Sequence, residues 1–121
     1  MTTQRPEGSF VALITPMNAD GSIDFEGFRT LFQFHEENGT SALLIMGSTG
    51  EVSMLTQKER HTIVHQTMKM RTGKMLFYYG CTGPTTETTM DYVAQAASEG
   101  ADGAIIAAPA YICASKEDIV Q

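Results

Sequence analysis

Basic residues are scarce in this chain. Lys and Arg together number 8 against 14 Asp and Glu, a net charge of −6 over 121 residues. With no basic run anywhere, nucleic acid and anionic membrane surfaces are not expected partners. Long hydrophobic runs are also missing. The longest nearly apolar stretch, Ala104 to Ala114, is eleven residues with Pro109 inside it, far short of the roughly 20 that a membrane helix needs. Cysteine is limited to Cys81 and Cys113. The first residues, Met1 to Glu7, carry one Arg followed by an acid and no apolar core, so no export signal is legible there. A cytoplasmic location and two free thiols are therefore expected. No His or Lys is adjacent to either cysteine to activate it.

What is present is a repeating order of elements. Phe10 to Ile14 reads as a first strand, stopped by Thr15-Pro16 and followed by the turn residues Asn18-Ala19-Asp20-Gly21. Asp24 is an N-cap candidate, with Ile23 and Phe28 at staple spacing. Phe25, Phe28, Leu31 and Phe32 recur at helical period until Asn38-Gly39. A second strand, Ala42 to Met46, precedes a helix opened by the capping box Thr56-Gln57-Lys58-Glu59 and closed at Gly73. A third strand, Met75 to Tyr79, breaks at Gly80. A third helix runs from about Thr86 to Glu99, and a fourth strand from Gly103 to Ala108. Ser115 begins a capped fourth helix.

Strands alternating with helices, each strand a continuous apolar run, predict an α/β domain. Its parallel sheet should be covered on both sides, either doubly wound or in a barrel. The length suits one domain, able to bury about two thirds of its unfolded surface if it closes on itself. The sequence stops soon after the cap at Ser115, in mid-helix, which suggests an incomplete domain.

Chemistry is expected at Gly47-Ser48-Thr49-Gly50-Glu51, a small-residue turn at the end of the second strand. Adjacent hydroxyls between glycines could cradle a small anion such as a carboxylate; an ordinary β-to-α turn is the alternative. Glu51, the last position of that turn, either acts in catalysis or holds the loop through backbone hydrogen bonds. Gly80-Cys81-Thr82-Gly83 also follows a strand, but it lacks both the Gly-Lys-Ser/Thr ending of a phosphate loop and the third glycine of a dinucleotide fingerprint. His61 and His65 stand at i, i+4 on the second helix. Without a third ligand nearby they read as an exposed helix face and not as a metal site. His35 falls on the first helix. Tyr78 and Tyr79 read as core or helix-facing residues of the third strand, and the 8 Met residues as core filler.

Gly8-Ser9-Phe10-Val11-Ala12-Leu13-Ile14-Thr15-Pro16-Met17, Gly47-Ser48-Thr49-Gly50-Glu51 and Pro109-Ala110-Tyr111 together resemble the dihydrodipicolinate synthase and N-acetylneuraminate lyase family. The resemblance implies a (β/α)8 barrel, of which residues 1–121 would be the first half, truncated in the fourth helix. It also implies a class I aldolase: a lysine amine condenses with the keto group of pyruvate or another 2-keto acid, and the derived enamine attacks an aldehyde. No metal or organic cofactor is needed. Ser48 and Thr49 match the hydroxyl pair that binds the pyruvate carboxylate, and Ser48 also matches a hydroxyl of the proton relay. Tyr111 matches the relay tyrosine that reaches across a dimer interface, so a homodimer or homotetramer is implied.

The chain also departs from the family. The imine-forming lysine and a second relay tyrosine belong to the second half of the barrel. Lys58 and Lys69 on the second helix, Lys74 at the start of the third strand and Lys116 in the fourth helix are not placed to substitute. Ala110 stands where the family usually has an aromatic, and Gly80 to Pro84 lacks an asparagine typical of dihydrodipicolinate synthases. Ser48 and Gly80-Cys81 look more like the neuraminate lyase and sugar-acid aldolase branches. The competing expectation is a non-catalytic half-barrel that binds a small carboxylate or pairs with another chain. Its uncovered apolar face would drive association. A soluble monomer would instead indicate a closed flavodoxin-like sheet.

Overall fold

A computed structural model describes residue 1 and residues 5–108 and 113–120. The elements are β1 (Phe10–Ala12), α1 (Phe25–Glu37), β2 (Ala42–Ile45), α2 (Gln57–Met70), β3 (Leu76–Gly80), α3 (Thr86–Ser98), β4 (Gly103–Ile105) and α4 (Lys116–Val120). A 3₁₀ turn, Val52–Met54, lies between β2 and α2.

Helix starts follow the side chains that satisfy their free N–H groups. Asp24 Oδ1 accepts from Gly27 N at 2.9 Å ahead of α1. Thr56 and Glu59 form the complete capping box of α2. Ahead of α4, Ser115 Oγ accepts from Asp118 N while Asp118 Oδ2 accepts from Ser115 N. Each such cap stabilises its helix by about 1 kcal/mol.

The strands form one parallel sheet in the order β1-β2-β3-β4. A doubly wound sheet reverses its strand order at a switch point. This one advances by one neighbour at each step, as a (β/α)8 barrel does, which rules out the flavodoxin-like arrangement. Alternate strand residues Val11, Leu13, Leu43, Ile45, Phe77, Tyr79 and Ala104 pack with Phe28 and Phe32 of α1, Ile63 and Val64 of α2 and Tyr92 and Ala96 of α3. The Phe32 and Phe77 rings stand 4.7 Å apart between centroids.

Helices α1, α2 and α3 therefore lie on one face of the sheet. The other face carries Phe10 and Ile14 of the β1 segment, Leu44, Tyr78 and Ile105, with Phe10, Ile14 and Ile105 exposed. The runs are apolar on both sides because in a barrel the second face is the packed interior. Tyr79 meets the helix-facing expectation, its hydroxyl 2.7 Å from Thr67 Oγ1 in the core. Tyr78 does not. It points to the open face, where its ring lies 5.1 Å from that of Phe10.

β4 ends at Ile105, three residues earlier than the apolar run. Cys81 N donates to Ile105 O, but the next available amide, Ala107 N, donates to Thr82 Oγ1 and not to a backbone carbonyl. A side chain has replaced the next rung of the ladder. Asp102, just before β4, is buried but well partnered: it accepts from Phe77 N at 2.8 Å and pairs with Arg71 at 2.7 Å.

Candidate active site at the carboxyl edge of the sheet

Parallel strands put all their carboxyl ends at one edge, where (β/α)8 proteins carry their catalytic groups. Here that edge gathers Thr15 after β1, Met46 to Glu51 after β2, Gly80 to Gly83 at the end of β3, and Ile106 to Ala108 after β4. The turn after β2 is tightly folded. Gly50 N donates to Gly47 O and Glu51 N to Ser48 O, both at 3.0 Å, and Val52 N reaches Gly47 O at 3.4 Å. Left-handed residues bracket it, Met46 at φ 59° and Glu51 at φ 56°. Neither is glycine, so each carries strain of about 1–3 kcal/mol that its surroundings must hold in place.

Ser48 and Thr49 occupy the exposed apex of this turn. Among the described residues neither hydroxyl has a hydrogen-bond partner, and neither amide is consumed within the turn, unlike those of Gly50 and Glu51. Two adjacent hydroxyls and two adjacent amides are a donor set suited to a carboxylate. Glu51 holds the loop through its backbone, its N–H bonded to Ser48 O and its carbonyl to Met54 N, while its side chain makes no capping bond to the 3₁₀ turn.

Two contacts hold this turn and a third holds the neighbouring β3 turn, and none of the three residues was given this role in the sequence. Thr15, buried, donates from Oγ1 to Gly50 O at 2.6 Å. Gly80 packs its bare Cα against the Met46 peptide, where a Cβ would stand 1.9 Å from Met46 O. Arg60 donates to Gly80 O and Thr82 O, each at 3.1 Å, with its guanidinium 3.7 Å from the centre of the Tyr92 ring. Burial pulls the Arg60 pKa below the usual arginine value, opposed by Tyr92 and Cys81. The sequence signals were thin: a Thr-Pro strand stop, an Arg on a polar helix, and a glycine read as a strand breaker.

The remaining candidates fall elsewhere. Tyr111, with Pro109 and Ala110, lies outside the described residues. Cys81 is buried beside Arg60, and burial pushes its thiol up to about 11; both cysteines are unpaired. His61 and His65 are not on an exposed face. They are half-buried toward α3, His61 edge-on to the Tyr92 ring and His65 Nδ1 2.9 Å from Glu99. His35 Nδ1 bonds Thr40 Oγ1. No group of three metal-ligating side chains occurs among the described residues. No helix among them is long and apolar enough to cross a membrane. Lys74 is at the opposite edge, where a cavity of about 560 Å³ is lined by Arg5, Glu7, Glu36 and Lys74. That cavity holds none of the turn motifs.

The model of the Dihydrodipicolinate synthetase family matches residues 5–121. The 4-hydroxy-tetrahydrodipicolinate synthase of Coxiella burnetii is 38% identical over 114 residues, 94% of this chain and 39% of that protein. The dihydrodipicolinate synthase structure from Aquifex aeolicus superposes with a TM-score of 0.82 at 38% identity, over 86% of this chain and 35% of that one. The chloride-inhibited enzyme of Acinetobacter baumannii, solved with pyruvate, gives 0.88 at 28% identity, over 93% and 39%. The chain thus spans somewhat over a third of the length of these relatives, corresponding to the first βα units of their (β/α)8 barrel. With its fold, strand order and turn all in agreement, the chain belongs to the dihydrodipicolinate synthetase family.

Proposed function

We propose that the Gly47–Glu51 turn binds the carboxylate of pyruvate or a related 2-keto acid in a class I aldolase or lyase. The carrying observation is the pair of unengaged hydroxyls on Ser48 and Thr49 at the carboxyl edge of a barrel-type sheet. The pyruvate-bound Acinetobacter baumannii relative supports the choice of ligand.

In this reading a lysine supplied by the part of the barrel beyond Gln121 attacks the keto carbon, and the carbinolamine loses water to give an imine. The imine withdraws electrons, so the adjacent methyl loses a proton to form an enamine, which adds to an aldehyde; cleavage is the reverse. Thr49 anchors the carboxylate. Ser48 both anchors and, with Tyr111, relays the protons of carbinolamine formation and dehydration. No cofactor enters these steps. The assembly is a cytoplasmic homodimer or homotetramer in which Tyr111 serves the neighbouring site.

The open apolar face of Phe10, Ile14 and Ile105 favours a second reading, a half-barrel that binds a carboxylate or a partner chain without catalysis. Thr49→Val in the protein carrying this chain tests the first. Pyruvate affinity should fall by roughly 1–3 kcal/mol, because a donor is lost and its neighbours are left unpaired. Unchanged affinity removes the carboxylate assignment.

A further inference from the structure

We infer that Thr15 is a positioning residue for substrate binding, acting through the Gly50 carbonyl. The inference rests on the carboxylate reading of the same turn. Thr15 is separated from Gly50 by 35 positions, yet its buried hydroxyl donates to Gly50 O at 2.6 Å. Gly50 is itself closely enclosed. A Cβ there would stand 3.1 Å from Leu13 O, 3.1 Å from Thr15 Oγ1 and 3.2 Å from Met46 Cα. The Gly50 peptide is thereby pinned between the end of β1 and the left-handed Met46.

The pin matters because the backbone bonds of the turn, from Gly50 N, Glu51 N and Val52 N, end on Gly47 O and Ser48 O and leave the Gly50 carbonyl to Thr15. The non-glycine left-handed residues at either end favour relaxation to another conformation. Releasing Gly50 O would leave a buried carbonyl unpaired and allow its peptide to rotate, carrying Thr49 and Ser48 with it. Misplacing donors by about an ångström is enough to weaken a binding site. Thr15 does not touch the ligand; it determines where the groups that do are held.

The test is pyruvate kinetics on the protein carrying this chain, with Thr15→Val and Thr15→Ser. Thr15→Val should raise the KM for pyruvate about tenfold, and Thr15→Ser, which keeps the hydroxyl, should restore KM. A role in stability alone would lower Tm and the amount of active protein while leaving KM unchanged, and that result overturns the inference. Should Thr15→Val not fold, Gly50→Ala takes its place: it presses on the same contact from the other side and should raise KM similarly, and a parental KM overturns the inference. If Thr49→Val also leaves pyruvate binding intact, the carboxylate reading has failed; if Thr49→Val weakens it and Thr15→Val does not, only the role of Thr15 has failed.

Discussion

The turns after β2 and β3 look alike in sequence. Each is a short run of glycine and hydroxyl residues between an apolar strand and a capped helix. The structure separates them by what their polar groups are doing. After β3, Thr82 Oγ1 accepts from Ala107 N, the Thr82 and Gly80 carbonyls accept from Arg60, and Gly83 N donates to Thr89 Oγ1. Those groups are occupied in joining β3 to β4, α2 and α3. After β2 the hydroxyls of Ser48 and Thr49 are unengaged among the described residues, and the backbone is held in left-handed conformations from outside. A turn whose donors are consumed is a joint of the scaffold. One whose donors are held open by neighbours is a candidate site.

The largest effect should come where the two turns meet. Gly80→Ala places a methyl on Met46 O, and because the obstacle is backbone, both turns must shift. A loss of about 3 kcal/mol or more is expected, read as a fall in the denaturant midpoint. Parental stability would show that the turns are not in the contact described.

Next comes a contrast between two hydroxyls. Thr82→Val should reduce stability by about 1 kcal/mol, having removed the acceptor for Ala107 N, and leave pyruvate affinity alone. Thr49→Val should do the reverse, with stability within about 0.5 kcal/mol of the parent. Equal effects of both variants on pyruvate would erase the distinction between joint and site.

Thiol chemistry gives a smaller but cleaner readout. Cys81 sits in the joint, buried and with its thiol pushed up to about 11, whereas Cys113 is exposed. Iodoacetamide at neutral pH should modify Cys113 first and Cys81 only on unfolding, as peptide mass mapping would record. Rapid native labelling of Cys81 would mean that the β3 turn opens.

The smallest effect concerns the helix that follows the candidate site. Hydrogen bonds from the Thr56 backbone and side chain hold the Glu59 carboxyl below its usual range. A depressed carboxyl stabilises above its unfolded pKa and loses that contribution as pH falls through the folded value. The Tm difference between the parent and Glu59→Gln should therefore be present at pH 7 and close below about pH 4. A pH-independent difference would argue against the charged cap.

Elements that depend on near neighbours were legible in the sequence. The Asp24 cap, the Thr56 and Glu59 box and the strand cores each involve residues a few positions apart, and all stand where local pattern places them. The candidate turn was legible for the same reason. What the pattern could not show depends on distant partners. The direction of Tyr78, the burial of His61 and His65 against α3, and the early end of β4 are decided by which element packs alongside. Thr15 and Arg60 act across 35 and 20 positions, respectively. Apolar runs without alternation indicated two buried faces, but only the strand order β1-β2-β3-β4 shows that one of them belongs to a barrel interior.

The central claim is tested most directly by intact mass, taken on the protein purified from its source before and after incubation with pyruvate and borohydride, which makes an imine permanent. A chain well above 13.2 kDa that gains one reduced pyruvate adduct is the predicted result, with adduct formation weakened by Thr49→Val. A protein that gains no adduct at saturating pyruvate would contradict the aldolase account.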